Sequence, residues 1–140
     1  MRDRTAKNWS TFHSVVYRVT AGGIGRRLVG NDMLLLTTRG IKTGSPHTVP
    51  LLYLRDDDDL IVIASWGGRP HNPHWYTNLE ANPEAAVQVK GSRWDVTAEA
   101  MGAQERAEWW QKIVSAYNGY AAYQARTDRQ IPVVRLRPVS

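Results

Sequence analysis

The turn at residues 39–46 has the residue types of an anion-binding site. It holds two glycines, a proline, and the cations Arg39 and Lys42, with hydroxyl side chains around them. Glycines leave backbone N–H groups open, and cations beside them would make a concave, positive site for a phosphate or a carboxylate. The alternative is an exposed basic turn that binds nothing. A P-loop is excluded, because the glycine spacing is wrong and no helix pattern follows.

A second candidate site is formed by Tyr117, Tyr120 and Tyr123, which recur at every third residue. On a helix, this spacing would place the three phenols along one drifting face. The ordinary interpretation of such a face is an aromatic core stripe. Because each buried hydroxyl needs a hydrogen-bond partner, a cleft wall that stacks planar ligands is a fair competitor.

Two other kinds of chemistry are not supported by the sequence. His71 and His74 could form a metal pair, but no cysteine or clustered carboxylate completes a site, so we expect no metal. Ser65 lacks the nucleophile-elbow context, and no Ser-His-Asp arrangement suggests hydrolysis. The chain contains no cysteine, which is compatible with a reducing cytoplasm and excludes disulfides.

The scaffold for these side chains is predicted by apolar runs separated by turn signals. Asn72 and Pro73 suggest an N-cap and a first helical position, and the aspartates at 56–59 suggest a solvated hairpin tip. We predict an α+β, mainly β, single domain: a small six-stranded β-barrel, closed or split, with flanking helices. The predicted strands are 33–36, 49–54, 60–64, 86–90, 94–100 and 131–137, and the predicted helices are 5–20, 72–81 and 104–116.

The composition is that of an ordinary globular domain. The chain has 140 residues, of which 42% are hydrophobic and 22% charged. It shows no run long enough for a membrane helix and no signal peptide. The net charge of +5 is uneven, because residues 1–47 carry +6 and the remainder carries −1. A positive first third suits an anionic partner: a nucleotide-like cofactor, a nucleic acid or an acidic membrane surface.

The N-terminal segment is predicted to be an amphipathic helix at residues 1–20, joined by a flexible glycine-rich connection to a barrel domain at 21–140. Trp9, Phe12, Val16 and Val19 lie at helical spacing. This apolar face could pack onto the barrel or lie on a membrane surface. The sequence leaves both uses open.

Several segments carry a recognisable pattern in order and spacing. They are Leu-Leu-Leu-Thr-Thr-Arg-Gly-Ile-Lys-Thr-Gly at 34–44, Thr-Val-Pro-Leu-Leu-Tyr-Leu at 48–54, Ala-Ser-Trp-Gly-Gly at 64–68, Asn-Pro-His-Trp-Tyr-Thr-Asn-Leu-Glu-Ala-Asn-Pro at 72–83, the triple tyrosine, and Arg-Thr-Asp-Arg-Gln-Ile-Pro-Val-Val at 126–134. With them, the chain resembles the deazaflavin (coenzyme F420)-dependent nitroreductase family over about residues 20–138.

The resemblance implies the split form of the six-stranded β-barrel. It also implies a reductase that takes a hydride from reduced coenzyme F420, an 8-hydroxy-5-deazaflavin with a phosphodiester and an oligoglutamate tail. Acceptors in the family include quinones, nitroimidazoles and activated enones such as coumarin-type lactones. An anionic cofactor accounts for the cationic turn. The implied partner is a small-molecule acceptor and not a nucleic acid, and the implied location is cytoplasmic. Contact with the inner face of the membrane, and the choice between monomer and homodimer, stay open.

The resemblance also implies roles for individual residues. Ser65 and Tyr120 would be catalytic, and Leu52, Tyr117, Tyr120 and Tyr123 would line the acceptor site. The implied cofactor-binding residues are Ile41, Lys42, Thr43, His47, Thr48, Val49, Pro50, Leu51, Leu52, Ile63, Ala64, Ser65, Trp66, His74, Trp75, Tyr76, Thr77, Asn78 and Tyr120. Among these, Lys42, Thr43, His47 and Thr48 would hold the phosphate and the tail.

Three positions depart from the family's usual residues: His47 replaces an arginine, Trp66 a lysine or asparagine, and Leu52 an aromatic residue. These changes put tail affinity and acceptor choice in question. Three alternatives to the reductase remain: an FMN enzyme on the same barrel, a non-catalytic F420 carrier, and a nucleic-acid or membrane module resting on the basic N-terminal third alone. No known nucleic-acid-binding signature is present.

Overall fold

The computed structural model describes residues 33–139. The predicted N-terminal helix, the glycine-rich connection and the domain boundary at residue 20 lie outside the described residues. None of the helices within 33–139 is long and apolar enough to cross a membrane.

The described residues form a seven-stranded antiparallel sheet with the neighbour order β2-β1-β5-β6-β7-β4-β3. The outermost strands, β2 and β3, are consecutive along the chain and are separated by Tyr53 alone. The sheet must therefore curl until its two edges approach each other, which is the predicted split β-barrel. The strands are β1 (Met33–Arg39), β2 (Pro46–Leu52), β3 (Leu54–Asp56), β4 (Asp59–Ile63), β5 (Glu84–Val89), β6 (Ser92–Ala100) and β7 (Val133–Pro138).

The predicted count of six strands was wrong by one, because the predicted strand at 49–54 divides at Tyr53. Before Tyr53, β2 pairs with β1, placing Val49 opposite Leu36. After it, β3 pairs with β4, placing Leu54 opposite Ile61. The apolar run continues through the buried Tyr53, so nothing in the local pattern marks the change of partner.

Alternation along β4 divides the core into two parts. Leu60 and Val62 face the barrel interior, where they join side chains of β1, β5 and β7. Ile61 and Ile63 face outward and pack against Trp109 and the other buried side chains of the helical layer. Fully burying one such side chain contributes roughly 1.5–3 kcal/mol, so both faces of this strand hold the fold together.

Three helices are described: α1 (His74–Ala81), α2 (Ala103–Ala116) and α3 (Gly119–Ala125). Helix α1 begins two residues after Asn72, with Pro73 in the N-cap position, so the predicted Asn72 cap was wrong. The Asn72 side chain instead accepts a hydrogen bond from Arg129. The three tyrosines do not share one helix, because Tyr117 lies at the C-cap of α2 while Tyr120 and Tyr123 belong to α3.

The aspartates after β3 are only partly a solvated tip. Asp56 and Asp59 lie 2.7 Å and 2.9 Å from Nη1 of Arg135, and Glu105 lies 2.7 Å from its Nη2. Burial lowers the pKa of Arg135, but its hydrogen bonds to these carboxylates outweigh burial and raise it. This cluster ties the β3–β4 hairpin and α2 to β7.

Candidate active site

An apolar pocket of about 810 Å³ opens between the end of β2, the turn after β4, the start of α1 and the α2–α3 junction. Its floor comes from half-buried residues of β2, an edge strand of the curled sheet. The lining residues are Met33, Val49, Pro50, Leu51, Leu52, Ile63, Ser65, Trp66, Gly67, Pro73, His74, Trp75, Ser115, Ala116, Tyr117, Asn118, Gly119, Tyr120 and Tyr123.

One wall of the apolar pocket is made by the three tyrosines. The rings of Tyr117 and Tyr120 meet edge to face at 6.2 Å between centroids, and those of Tyr120 and Tyr123 do so at 5.8 Å. The Tyr117 hydroxyl donates to the carbonyl of Tyr53 at 3.3 Å. This packing holds the Tyr120 ring in place from both sides.

Tyr120 keeps its proton well above neutral pH. Tyr120 is 8% exposed. Burial raises the pKa of Tyr120 to about 12, and the proximity of Tyr117 and Tyr123 contributes to this rise. The phenol is therefore a neutral hydrogen-bond donor under physiological conditions.

The turn after β4 has an unusual backbone. Trp66, Gly67 and Gly68 all have positive φ, at 46°, 62° and 80°. The side chain of Trp66 lies between Arg69, whose guanidinium carbon is 4.7 Å from its ring centroid, and His74, whose ring is 5.8 Å away. Left-handed backbone at a bulky residue is strained, and such strain concentrates at functional sites.

A second, basic pocket of about 700 Å³ lies between the β1–β2 turn and α1. Lys42 and His47 bring its basic side chains from the turn and from β2, and threonine hydroxyls and an amide surround them. The lining residues are Gly40, Ile41, Lys42, Thr43, His47, Thr48, Val49, His74, Trp75, Thr77 and Asn78.

The turn chemistry differs from the prediction in two respects. The N–H groups of Gly40 and Gly44 are not open, because they donate to the carbonyls of Ser45 and Gly40 at 2.9 Å and 3.0 Å. Arg39 donates to the carbonyl of Gly44 at 3.2 Å and does not line the basic pocket. An anion here would meet side chains, chiefly Lys42 and His47, and not a glycine N–H cradle.

Gly40 has a steric role in the basic pocket. A Cβ at this position would lie 2.8 Å from Nε2 of His47. The missing side chain therefore lets the imidazole lie against the turn.

The two pockets adjoin each other. Val49, His74 and Trp75 line both of them. The apolar pocket has phenols on its wall, and the basic pocket has the side chains of Lys42 and His47. Two adjoining pockets of this kind suit a planar ring system that carries an anionic chain.

A profile of the F420H(2)-dependent quinone reductase family matches residues 9–138. The chain belongs to this family. Membership makes it an oxidoreductase that depends on reduced coenzyme F420, as the resemblance implied.

Individual relatives agree with the family profile. An F420H(2)-dependent quinone reductase of Mycobacterium tuberculosis H37Rv is 45% identical over 129 residues, covering 89% of this chain and 86% of that protein. The solved structure of an F420-H2-dependent reductase, FDR-A, matches with a TM-score of 0.70 and 40% identity, covering 76% of this chain and 94% of that one. A solved structure described as a domain-swapped dimer matches with a TM-score of 0.70 and 34% identity, covering 94% and 99%.

The cavity fits the cofactor of this F420H(2)-dependent family. A deazaflavin ring is planar and largely apolar, and the apolar pocket offers it aliphatic and aromatic walls. A phosphodiester and an oligoglutamate tail are anionic, and the adjoining pocket offers Lys42 and His47.

Most of the residues implied by the resemblance line one of the two pockets. The exceptions are Ala64, which is fully buried in the barrel core, and Tyr76, which packs against that core. The sequence analysis missed eight other lining residues. They are Met33, Gly67, Pro73, Ser115, Ala116, Asn118 and Gly119 in the apolar pocket and Gly40 in the basic pocket. Asn118 and Gly119 could have been found, because they lie between two predicted site tyrosines.

Proposed function

We propose that the chain is an F420H2-dependent reductase of planar electrophilic acceptors: quinones first, then nitroimidazoles and activated enones. The observation that carries this proposal is that the apolar pocket, with its tyrosine wall, adjoins the basic pocket at Val49, His74 and Trp75. The apolar pocket, at about 810 Å³, lies within the range of about 300–1,000 Å³ of pockets that bury most of a drug-sized ligand.

The basic pocket would hold the cofactor's anionic chain. Lys42 and His47 supply charge, and the hydroxyls of Thr43 and Thr48 supply hydrogen bonds. Thr48 is already oriented, because its Oγ1 lies 2.6 Å from Oγ1 of Thr37. These residues would orient the cofactor and would not take part in the reaction. By holding the anionic chain, they would keep the deazaflavin ring at a fixed distance from the acceptor.

The apolar pocket would exclude water from the reacting atoms. Pro50, Leu51 and Leu52 come from β2, and Ile63 comes from the end of β4. Bound F420H2 supplies the hydride, which is cofactor chemistry and not protein chemistry. A dry site strengthens every hydrogen bond that the protein offers to the acceptor.

Ser65 and Tyr120 are the proposed proton-handling groups. Both line the apolar pocket, and each residue is 8% exposed. Either hydroxyl could donate a hydrogen bond to the acceptor oxygen as negative charge develops there. One of them, or a water molecule, would then give the proton that completes reduction of a quinone to a hydroquinone.

The test is an anaerobic titration with F420 and, separately, with FMN, followed by addition of menadione to the reduced F420 complex. Cofactor fluorescence reports binding and reoxidation. We expect tight F420 binding, rapid reoxidation, and a loss of about 10²-fold or more in turnover for Ser65→Ala or Tyr120→Phe with the cofactor still bound. Ser92→Ala is the control, because Ser92 is exposed on β6 and lines neither pocket.

Two results would contradict the proposal. Binding of F420 without reoxidation by menadione would favour a carrier over a quinone reductase. Full turnover in both variants, with the cofactor bound, would remove Ser65 and Tyr120 from the mechanism.

A further inference from the structure

The turn that carries Ser65 and Trp66 has a backbone conformation that its own residues do not favour. Trp66 has a φ of 46°, followed by two more left-handed residues. The two that follow are glycines, which adopt positive φ readily, but a non-glycine residue such as Trp66 in this region costs on the order of 1–3 kcal/mol and persists only when its surroundings over-determine it. The only backbone hydrogen bonds within the turn are Gly68 N–H to Ser65 O at 2.9 Å and Arg69 N–H to Trp66 O at 3.2 Å, among residues 33–139.

Arg129 supplies most of the side-chain hydrogen bonds that constrain the turn, and Arg126 adds one from its Nη1 to the carbonyl of Gly67 at 3.3 Å. The Nη1 of Arg129 donates to the carbonyl of Ala64 at 3.2 Å, its Nη2 to that of Ser65 at 2.7 Å, and its Nε to that of Arg69 at 2.9 Å. Nη1 also donates to Oδ1 of Asn72 at 2.7 Å. Four of the five N–H donors of one guanidinium are thereby used on both ends of the turn and on the residue before Pro73.

The charge of Arg129 is not used in an ion pair with any carboxylate of the described residues. All four acceptors are neutral. Arg129 therefore acts here through the planar, forked shape of its guanidinium, which reaches several acceptors at fixed angles.

The segment that carries Arg129 is fixed in turn to the tyrosine helix. Gln124, in α3, donates from Nε2 to the carbonyl of Arg129 at 2.8 Å. On the other side, a Cβ at Gly68 would lie 2.5 Å from the carbonyl oxygen of Tyr123, so the turn and α3 are in close contact. One network therefore connects the turn and α3, which both contribute residues to the lining of the apolar pocket.

We propose that Arg129 is a positioning residue, which holds Ser65 and Trp66 in their places in the lining of the apolar pocket. It touches neither cofactor nor acceptor, because it lines neither pocket. This inference rests on the proposed function, since it assigns the constrained turn a role in binding F420 and in turnover.

The test compares Arg129→Lys with Arg135→Lys. A lysine at 129 keeps the charge but presents a single nitrogen that cannot reach all four acceptors. Arg135 is the matched control, a buried arginine with three partners, none of them on the turn. Asn72→Ala is a second, milder variant, which removes one of the four acceptors.

Two kinds of measurement are made on each variant. The first is functional and gives the F420 dissociation constant and kcat. The second is amide hydrogen exchange at Gly68 and Arg69 in the cofactor-free protein. For Arg129→Lys we expect exchange in the turn to rise about tenfold beyond any global change, and F420 affinity to fall by about tenfold, which corresponds to about 1.4 kcal/mol. Asn72→Ala should show the same effects at smaller size. Arg135→Lys should lower stability with exchange rising evenly and F420 affinity unchanged.

The proposal would be overturned if the Arg129→Lys variant showed the same amide exchange in the turn and the same F420 affinity as the wild type. Weaker F420 binding with unchanged turn exchange would also overturn it, because the role would then not be positioning. If the wild-type protein failed to bind F420, the proposed function would fall, while the exchange data would still decide whether Arg129 holds the turn.

Discussion

The side-chain amide of Asn78 donates to the hydroxyl of Thr38 at 3.0 Å, and this buried hydrogen bond joins α1 to β1 across 40 residues of sequence. Asn78 lines the basic pocket, whereas Thr38 is fully buried behind it. The amide that the family resemblance assigned to the cofactor thus has one donor committed to the fold. Its role in the basic pocket and its role in stability are coupled.

Replacing Thr38 by valine should lower the free energy of unfolding by roughly 1–3 kcal/mol, because the amide of Asn78 loses its buried acceptor. Urea denaturation measures the change. Thr97→Val is the control, since Thr97 is exposed on β6, and it should stay within about 0.5 kcal/mol of wild type. An equal loss in both variants would mean that the hydrogen bond contributes nothing measurable.

Tyr120 should make folding stability fall at high pH. Its pKa rises from the ordinary 10.0 to about 12 on folding, so the native state holds this proton where the unfolded chain has lost it. The contribution of Tyr120 is fully present below pH 10 and lost as pH rises through 12. At about 1.4 kcal/mol per pH unit, the loss is roughly 3 kcal/mol.

The measurement is urea denaturation of the wild type and of Tyr120→Phe, from neutral pH to pH 12. The phenylalanine variant should lack this part of the loss, so the difference between the two proteins should change with pH. A constant difference would show that the phenol titrates equally in both states.

The sequence predicted the barrel because its strands alternate or run apolar between clear turn residues. It could not predict the seventh strand, since the exchange of partners at Tyr53 depends on how the sheet closes. The interpretation of the glycines at 40 and 44 failed for a similar reason. Whether a turn's N–H groups are free depends on its internal hydrogen bonds, and those bonds are set by three-dimensional geometry.

Arg129 shows the other limit of sequence reasoning. It lies within the 126–134 segment that carried the family resemblance, yet nothing local indicates what it binds. Its acceptors are backbone carbonyls at residues 64, 65 and 69, and carbonyls are present at every position of any sequence. Side-chain pockets such as the tyrosine wall can be inferred from residue types, but backbone recognition cannot.

Lys42→Ala should weaken F420 binding by about 2- to 5-fold at low salt, as expected for one exposed ion pair. The effect should shrink with added salt, because salt screens exposed charges. A deazaflavin without the phosphodiester and tail should bind both proteins equally. Arg93→Ala is the control, since it removes the same charge from an exposed site that lines neither pocket. If that variant weakened binding as much, the effect would come from net charge and not from the pocket.

Gly68→Ala should be far more damaging than Gly67→Ala, although the two glycines are adjacent and both left-handed. At Gly67 an added Cβ meets nothing within 4 Å, so only the backbone strain of φ 62° remains, which is about 1 kcal/mol. At Gly68 the same Cβ would lie 2.5 Å from the carbonyl oxygen of Tyr123. Either the turn or α3 must move, which adds roughly 1–3 kcal/mol and displaces one pocket wall. Thermal unfolding and F420 titration of both variants measure the two effects. Equal stabilities and equal affinities would show that the turn and α3 do not depend on this close approach.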